Sequence, residues 1–275
     1  MNDDEKIITL SWSRLRSWLE CRQKAHLQSR GIKSPAQNVK LFHKGTTVDR
    51  VLRDWLLQPY PQLGTMVDTV EPYMTLLEKE YIDQGTGVVH WDHNEERDNM
   101  ITWCKKLITE LEPIMRDLVL PYVYTPDLRF RSPIMVPGLD GEPRQIDLIG
   151  AIDIFVKESE DRYSVYDLKA TENAAYWKKT IMQLVFYALA MYSKHGYYPS
   201  RIALIQPMCP DKVLSLKLTE EHVLSLVSKI TEYAHSVWRQ DFAPKESDAG
   251  CSWCSVKFAC SKYARDKVSK RVSFT

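Results

Sequence analysis

The chain has 275 residues, 44% of them hydrophobic and 27% charged, which corresponds to one or two globular domains and excludes a disordered chain. It contains only 10 glycines, and neither the P-loop pattern nor the dinucleotide-binding glycine pattern occurs, so phosphate-binding loops of these two types are excluded. Lysine and arginine outnumber aspartate and glutamate by only 37 to 36, so the net charge gives no indication of a nucleic-acid ligand.

Helices are predicted in the first part of the chain. The first helix begins at Ser11 or Ser13, since either side chain can cap a helix, and it ends between Cys21 and Leu27. The second covers residues 41–58, where apolar side chains recur at helical spacing until a proline ends the run.

The helical pattern weakens between residues 60 and 128. The clearest element there is a helix near residues 94–119, whose apolar side chains again recur at helical spacing. Pro113 lies inside this run and can split it, because proline lacks the N–H group that an α-helix needs.

From residue 129 onwards the pattern changes to short β-rich segments that turn signals separate. A hairpin turn at Asp140-Gly141 indicates that the first three segments form an antiparallel meander. Two helices follow, over 173–194 and 219–239, and Gly196 is placed to end the first of them. The order of elements predicts an α/β fold with a helical insertion before its core. The predicted strands are 129–136, 144–156, 162–169, 201–206 and 213–218.

The sequence gives no indication of a membrane or secretory segment. No apolar run approaches the ~18 residues of a membrane span, and the first residues, MNDDEKIITL, lack the apolar core of a signal peptide. We therefore expect a soluble, cytoplasmic protein without a membrane partner. In that compartment, six cysteines are more often thiols or metal ligands than disulfides.

The near-neutral total conceals an uneven distribution of charge. Residues 1–60 contain 11 basic and 6 acidic residues, and residues 173–275 contain 15 basic and 8 acidic residues. Residues 61–172 contain 11 basic and 22 acidic residues. Two interpretations are open: an ordinary solvated surface, or basic segments that bind DNA around an acidic centre that holds metal ions.

Acidic residues on the predicted strands are candidates for a metal site. Asp153 lies among apolar neighbours, and Asp167 and Lys169 share one face of the next strand. Adjacent antiparallel strands could bring Asp153 and Asp167 together, and carboxylate oxygens are ligands that Mg²⁺ or Mn²⁺ prefers. Asp147 shares the face of Asp153 but has no suggestive neighbours. The alternative is an Asp–Lys salt bridge on an edge strand.

The helix after these strands carries two further polar candidates. Gln183 and Tyr187 are four residues apart, so they lie on the same face within an apolar stretch. They could support the acidic site from the helix. Alternatively, Tyr187 is a core aromatic residue and Gln183 is merely exposed.

The cysteines form a second candidate site. Cys251, Cys254 and Cys260 have the spacing C-x2-C-x5-C, from which thiolates can bind one metal centre. A fourth ligand is needed, and Cys21 is preferred over Cys104, which fits an apolar helix, and over Cys209, which fits a loop thiol. Zinc, an iron–sulfur cluster and a redox disulfide all remain compatible with the spacing.

Taken in order, these motifs resemble those of the RecB-like exonucleases of the PD-(D/E)xK superfamily, in the branch that carries an iron–sulfur cluster. That branch includes CRISPR-associated RecB-like nucleases, the AddB nuclease domain, and phage and archaeal exonucleases, so a prokaryotic or phage source is expected. The similarity extends from about Leu10 to Tyr263. The matching motifs are Cys21, G-x-x-V-D at Gly45–Asp49, G-A-I-D at Gly150–Asp153, D-L-K at Asp167–Lys169, Q-x-x-x-Y at Gln183–Tyr187, and the C-terminal cysteines.

The resemblance implies a role for each matched residue. Asp153, Asp167 and the backbone carbonyl of Leu168 would bind one or two Mg²⁺ or Mn²⁺ ions, and Lys169 would be the catalytic lysine. Gln183 and Tyr187 would support the site and contact DNA, and Cys21, Cys251, Cys254 and Cys260 would hold a [4Fe-4S] cluster. Asp49 stands where the family usually has a histidine that helps to bind metal. A carboxylate is an acceptable ligand for these ions.

The resemblance also implies a fold with a central mixed sheet flanked by helices, an N-terminal helical insertion and a C-terminal iron–sulfur staple. In this scheme the parts belong to one integrated domain. They are a first helix with the first cluster ligand (1–40), a helical region (41–128), the nuclease core (129–240) and a cluster-binding segment (241–275).

The expected activity is metal-dependent exonuclease cleavage of single-stranded DNA ends, with 5′→3′ polarity, in recombination, repair, replication or CRISPR-type processing. Because the sequence has no P-loop, unwinding would need a separate helicase partner. Trp12, Trp18, Tyr176 and Trp177 could stack on bases or pack in the core. Two other functions are compatible with the motifs: a non-catalytic DNA-end-binding adaptor and a zinc-stapled binding module.

Overall fold

The computed structural model describes residues 7–32, 40–62, 64–85, 88–244, 251 and 254–261. Within them the fold is mixed α/β, as predicted. No helix in these ranges is both long enough and apolar enough to cross a lipid bilayer. The elements in chain order are β1 (Ile8–Leu10), α1 (Trp12–Glu20), α2 (Arg22–Ser29), α3 (Lys40–Leu56), α4 (Met66–Asp83), α5 (Asn94–Leu118), β2 (Val123–Pro137), β3 (Pro143–Lys157), β4 (Tyr163–Leu168), α6 (Tyr176–His195), β5 (Arg201–Ile205), β6 (Val213–Ser215), α7 (Glu220–Trp238) and a short 3-10 turn (Lys257–Ala259).

The strands form one mixed sheet in the order β1-β3-β4-β5-β6, and β2 also pairs with β3. β3 and β4 are antiparallel, β4 and β5 are parallel, and β5 and β6 are antiparallel. The predicted central mixed sheet with helices is therefore confirmed. β1 was not predicted, because three residues are too few to display an alternating pattern; it pairs in parallel with β3.

The chain divides into two compact units. Unit 1 contains Met1–Pro35, Arg131–Gly150 and Val223–Thr275, and unit 2 contains Ala36–Phe130 and Ala151–His222. β3 therefore contributes its first residues to unit 1 and its last residues, including Asp153, to unit 2.

Unit 2 has a core in which α3, α4 and α5 pack with β4 and β5. The sequence pattern did not predict α4, whose internal Pro72 interrupts the helical propensity, although Met66, Val70 and Met74 are fully buried at helical spacing. The expected split of α5 at Pro113 is wrong, because α5 continues to Leu118. Burial of its apolar face, including Leu107, Leu111 and Met115, compensates for the hydrogen bond that proline removes.

Unit 1 contains two short helices where one was predicted. Ser11 caps α1 by accepting a hydrogen bond from the backbone N–H of Arg14 at 3.3 Å. The chain then becomes extended at Cys21, with φ −165° and ψ 119°, before α2 begins at Arg22. Trp18 anchors α1 within the unit, because its Nε1 donates to Ser236 Oγ at 3.2 Å.

Two cysteines outside the C-terminal motif are buried. Cys104 has no exposed surface and lies in the core of unit 2, as expected, and burial raises the pKa of its thiol to about 12. Cys209 is also buried, its Sγ lies 3.6 Å from the carbonyl oxygen of Thr171, and burial raises its pKa as well. Neither thiol has the exposed, electropositive surroundings of a reactive cysteine.

Candidate active site

The pairing of β3 with β4 brings two acidic side chains together in unit 2. Ile154 pairs with Tyr166, so continuing the antiparallel register by one residue places Asp153 opposite Asp167. The backbone N–H of Leu168 donates to Asp153 Oδ2 at 2.7 Å, which fixes this carboxyl group against the end of β4. The juxtaposition predicted from the strand pattern is present.

Lys169 completes the central contact of the site. Its Nζ lies 2.5 Å from Asp167 Oδ2, and Asp167 has no exposed surface. The Asp–Lys salt bridge of the alternative interpretation is present, but it does not lie on an edge strand, because β4 lies between β3 and β5. The lysine is also held through its backbone, whose N–H donates to the carbonyl of Ile205 at 2.9 Å.

A side chain of helix α6 forms a hydrogen bond with the other carboxylate oxygen of Asp167. Gln183 Nε2 donates to Asp167 Oδ1 at 3.0 Å and to the hydroxyl of Tyr187 at 2.8 Å. Tyr187 is buried, and its ring meets Phe130 edge-on at a centroid distance of 6.1 Å. The interpretation of Gln183 as merely exposed is wrong, because its amide links α6 to the acidic pair.

An open cavity of about 530 Å³ lies beside the acidic pair, within unit 2. Asp49 from α3, Asp153 from β3 and Lys169 line it, together with Leu168 at the end of β4 and Tyr176 at the start of α6. The structure thus brings the sequence-predicted Asp49 to the same cavity as Asp153, although Asp49 lies more than a hundred residues earlier in the chain.

The carboxyl groups of the site are poorly solvated and close to one another. Burial raises the pKa of both Asp153 and Asp167, and the charge of Asp153 raises that of Asp167 further. Asp49 keeps an exposed surface, yet the surrounding protein limits its hydration and, with the charge of Asp153, raises its pKa to about 6. Burial alone would lower the pKa of Lys169, but Asp167 and Asp153 outweigh that effect and raise it. Lys169 is therefore a cation at neutral pH.

The sequence pattern did not indicate Asp127 as part of this site. Its charge raises the pKa of both Asp49 and Asp153, so the carboxyl group lies near them. The backbone of Asp127 has φ 49°, in the left-handed region that aspartate tolerates better than most residues. A backbone conformation of this kind has no signature in a single sequence.

Lys44 and its neighbours were also missed. Lys44 lines the cavity, and its Nζ lies 4.4 Å from the ring centroid of Trp103, whose Nε1 donates to Glu172 Oε1 at 2.6 Å. Gly45, the next residue, also lines the cavity, and a Cβ atom placed there would meet no atom within 4 Å. The cavity wall therefore has a cation beside a position without a side chain.

The donor set is compatible with the Mg²⁺ or Mn²⁺ ions that the resemblance implies. Within the described residues, no group of three or more His, Cys, Asp or Glu side chains is arranged to hold a metal ion. Mg²⁺, however, is usually bound through one or two carboxylates, with waters and substrate phosphates as further ligands. Asp153 and Asp167 supply such a pair, and an ion beside them would offset the repulsion that raises the pKa of Asp167.

The predicted cysteine site is not assembled in the same way. Cys21, Cys251, Cys254 and Cys260 all belong to unit 1 and are partly exposed free thiols. They form no metal-holding group among the described side chains. Tight turns bring parts of the C-terminal motif together: the N–H of Cys254 donates to the carbonyl of Cys251 at 3.3 Å.

Other candidates from the sequence lie elsewhere. Asp147 is in unit 1, where Arg131 Nε lies 2.5 Å from its Oδ2 and Gln145 Nε2 donates to its Oδ1 at 2.6 Å. Asp147 is thus a buried carboxylate whose oxygens are both paired, one of them with the exposed Arg131. Trp18 is buried in unit 1, Trp12 and Trp177 are half-buried, and of the four aromatic candidates only Tyr176 lines the cavity of the acidic pair.

A family model and several solved structures are similar to this chain. A family model described as the PD-(D/E)XK nuclease superfamily matches residues 9–261. Among solved structures, 13 chains match. One is the crystal structure of SSO0001, which is 13% identical to this chain, with a TM-score of 0.37 and an alignment that covers 80% of this chain and 96% of that one. No curated protein matches.

Proposed function

Because the chain belongs to the PD-(D/E)XK nuclease superfamily, we propose that it is a metal-dependent nuclease that cleaves DNA at its ends. The observation that carries the proposal is the contact of Lys169 with buried Asp167 beside Asp153, at the wall of an open cavity. Carboxyl groups in a cavity whose pKa values are raised by burial and by a neighbouring charge are candidates for a functional site.

Each residue has a defined task in this proposal. A divalent ion would lower the pKa of a bound water and stabilise the charge of the leaving oxygen. Asp153 and Asp167 would hold it, with Asp49 and the carbonyl of Leu168 as further ligands. Lys169 would orient the attacking water or neutralise charge that develops on the phosphate.

Helix α3 supports the entry of a phosphodiester backbone into the cavity. Lys44 presents a positive charge, and the ring of Trp103 restrains its ammonium group. Gly45 leaves open space next to that charge, although glycine inside a helix is unfavourable by roughly 0.5–1 kcal/mol relative to alanine. We infer that the space accommodates a substrate phosphate that Lys44 binds.

The finer assignments depend on the resemblance of the motifs. They are exonuclease action on single-stranded ends, 5′→3′ polarity, and a place in recombination, repair, replication or CRISPR-type processing. A separate helicase is the proposed partner, because the sequence contains no P-loop of its own. An assay with strands labelled at either end, in single- and double-stranded form, measures the cleavage polarity and the strand preference directly.

A [4Fe-4S] cluster on Cys21, Cys251, Cys254 and Cys260 is a separate proposal. The spacing of the last three and the presence of all four in unit 1 support it. The cluster would be structural, since a bound metal centre contributes free energy of folding. Anaerobically purified protein should be brown and contain iron and sulfide in equal amounts. A colourless protein with one zinc per chain would contradict the cluster and support a zinc-stapled module.

Substitutions on β3 and directly after β4 test the nuclease proposal. Asp153→Asn and Lys169→Ala should each lower the rate of DNA cleavage in Mn²⁺ by at least about 100-fold, because each removes a charge that acts on the transition state. Asp147→Asn is the matched control, since Asp147 is a buried acid on the same strand but is paired with Arg131. It should leave the cleavage rate nearly unchanged.

The outcomes separate the candidate functions. Equal rate losses in Asp147→Asn and Asp153→Asn would contradict the assignment of the acidic pair. A wild-type chain that binds DNA ends without cleaving them in Mg²⁺ or Mn²⁺ would support the adaptor function instead.

A further inference from the structure

Unit 1 contains a cavity of its own, of about 420 Å³. Residues of β1, α1, α2 and α7 and of the segment after α7 line it. Pockets for small ligands commonly have volumes of about 300–1,000 Å³, whereas well-packed cores leave few voids larger than a water molecule. The volume of this space lies within the range of small-ligand pockets.

Aromatic rings make up much of the cavity wall. Trp18, His26, Tyr233, Trp238 and Phe242 all line it. The rings of His26 and Phe242 stack at 4.0 Å with an interplanar angle of 16°, and Trp18 meets Tyr233 edge-on at 5.9 Å. Burial, with a smaller contribution from Arg30, lowers the pKa of His26, so its ring is neutral at neutral pH. Such walls suit a flat, uncharged ring.

Two polar side chains line the same cavity in restrained positions. Arg14 Nη1 donates to the carbonyl of Thr9 at 2.8 Å, and the guanidinium also bonds the hydroxyl of Tyr233. Gln240 follows α7 with φ 54°, in the left-handed region where glycine is usual at a helix end. A glycine would adopt this conformation without strain.

The charge of unit 1 favours a nucleic acid. Counted over the sequence, unit 1 has 18 basic and 12 acidic residues, and unit 2 has 19 basic and 24 acidic residues. No aspartate or glutamate is among the described residues that line the cavity, so a cationic ligand would find no counter-charge there. The cavity lining combines aromatic rings with the guanidinium group of Arg14, and sites that bind single strands likewise combine aromatic side chains with positive charge.

We propose that the cavity of unit 1 binds one nucleobase of a DNA strand, as a second DNA-binding site in addition to the acidic pair of unit 2. The base stacks on the aromatic wall, which Phe242 and His26 form in part, while Arg14 and Gln240 contact its polar edge or the adjoining phosphate. The choice of DNA rests on the proposed nuclease function; the choice of a planar base rests on the cavity.

Binding to strands with and without bases tests the inference. Fluorescence anisotropy in EDTA, which prevents cleavage, compares a short oligothymidylate with an abasic strand of the same length and charge. Phe242→Leu removes the ring but keeps an apolar side chain. It should weaken binding of oligothymidylate by about 5–150-fold, the range that corresponds to about 1–3 kcal/mol per stacked base, and leave binding of the abasic strand unchanged. Tyr122→Leu removes an exposed ring from unit 2 and should change neither.

The variant Gln240→Gly separates a loss of DNA binding from a loss of protein stability. Glycine relieves the left-handed strain, so this variant should melt at the same or a higher temperature and yet bind oligothymidylate more weakly than the wild type. Unchanged binding in both variants, or an equal loss on both strands, overturns the inference. Base-dependent binding that Phe242→Leu abolishes, in a chain that does not cleave DNA, would contradict the nuclease proposal and leave the nucleobase site standing.

Discussion

At the scale of single residues, Asp167 is held from two directions. Its Oδ1 accepts a hydrogen bond from Gln183 of α6, and its Oδ2 contacts the ammonium group of Lys169. A carboxyl group without exposed surface is costly to ionise unless such partners are present. The orientation of Asp167 therefore depends on Gln183 as much as on the strand that carries it.

Replacing Gln183 tests this dependence. Gln183→Leu leaves Asp167 Oδ1 and the Tyr187 hydroxyl without their shared partner, so the free energy of unfolding should fall by about 1–3 kcal/mol. DNA cleavage should decrease as well, with little change in DNA affinity. Tyr187→Phe is the matched variant, because it removes only the hydroxyl and keeps the bond to Asp167. Urea unfolding and initial cleavage rates distinguish the two, and equal effects would contradict the role of Gln183.

His43 gives the chain a pH-dependent stability. It is fully buried in unit 2, and its Nε2 lies 3.6 Å from Glu78 Oε1. Burial lowers its pKa, and Arg97 adds to this, while Glu78 opposes it. The folded chain thus binds fewer protons at this site than the unfolded chain, whose histidines titrate near about 6.5. The free energy of unfolding should therefore fall as the pH drops through that value.

The variant His43→Phe isolates this contribution. It retains a buried ring but cannot be protonated, so its free energy of unfolding should change less between about pH 7.5 and about pH 5.5 than that of the wild type. Urea unfolding curves at the two pH values measure the difference. An identical pH dependence in both proteins would falsify the assignment.

At the scale of elements, α3 has one buried face and also contributes to the wall of the cavity in unit 2. Val48, Val51, Leu52 and Trp55 bury one face of the helix, while Gly45 lies toward the cavity. Gly45→Ala should therefore stabilise the protein by about 0.5–1 kcal/mol and at the same time reduce DNA cleavage. Thermal melting and cleavage rates measure the two effects.

Gly196 is the matched control for Gly45. It ends α6 with φ 81°, a conformation that alanine adopts only with strain, so Gly196→Ala should destabilise the protein by about 1–2 kcal/mol. Gly196→Ala should reduce the cleavage rate only in proportion to the fraction of protein that it unfolds. Stabilisation without any loss of cleavage in Gly45→Ala would contradict the role given to the open space beside Lys44.

Elements with a strong period could be predicted from the sequence, and those without one could not. The alternating pattern of the meander and the helical spacing of α6 and α7 predict these elements. The order of the strands in turn predicts the acidic pair, since neighbouring strands determine which carboxylates lie side by side. β1 is too short to show a period, and Pro72 weakens the pattern of α4. Asp127 and Lys44 could not be predicted, because a left-handed residue and a lysine on an aromatic ring depend on contacts between segments that are distant in the chain.

At the scale of the whole molecule, the near-neutral total divides between the two units. Residues 1–35 and 223–275, which together contain 16 basic and 9 acidic residues, belong to unit 1, while the acidic residues of 61–128 belong to unit 2 with the candidate active site. The uneven charge along the sequence is thus also uneven between compact parts of the fold. The proposed metal binding by the acidic pair and the proposed strand binding by unit 1 are both compatible with this division of charge.

The six cysteines differ in burial, so the number of thiols that react in the native chain should indicate whether a metal centre is bound. Cys104 and Cys209 are buried and have raised pKa values, so alkylating reagents, which attack thiolates, should reach them only after denaturation. The other four are partly exposed. Native protein without a cluster should therefore consume about four equivalents of a maleimide and loaded protein almost none. If a chelator raises the number of reactive thiols from almost none to about four, the increase measures how much of the protein held a cluster, without any substitution.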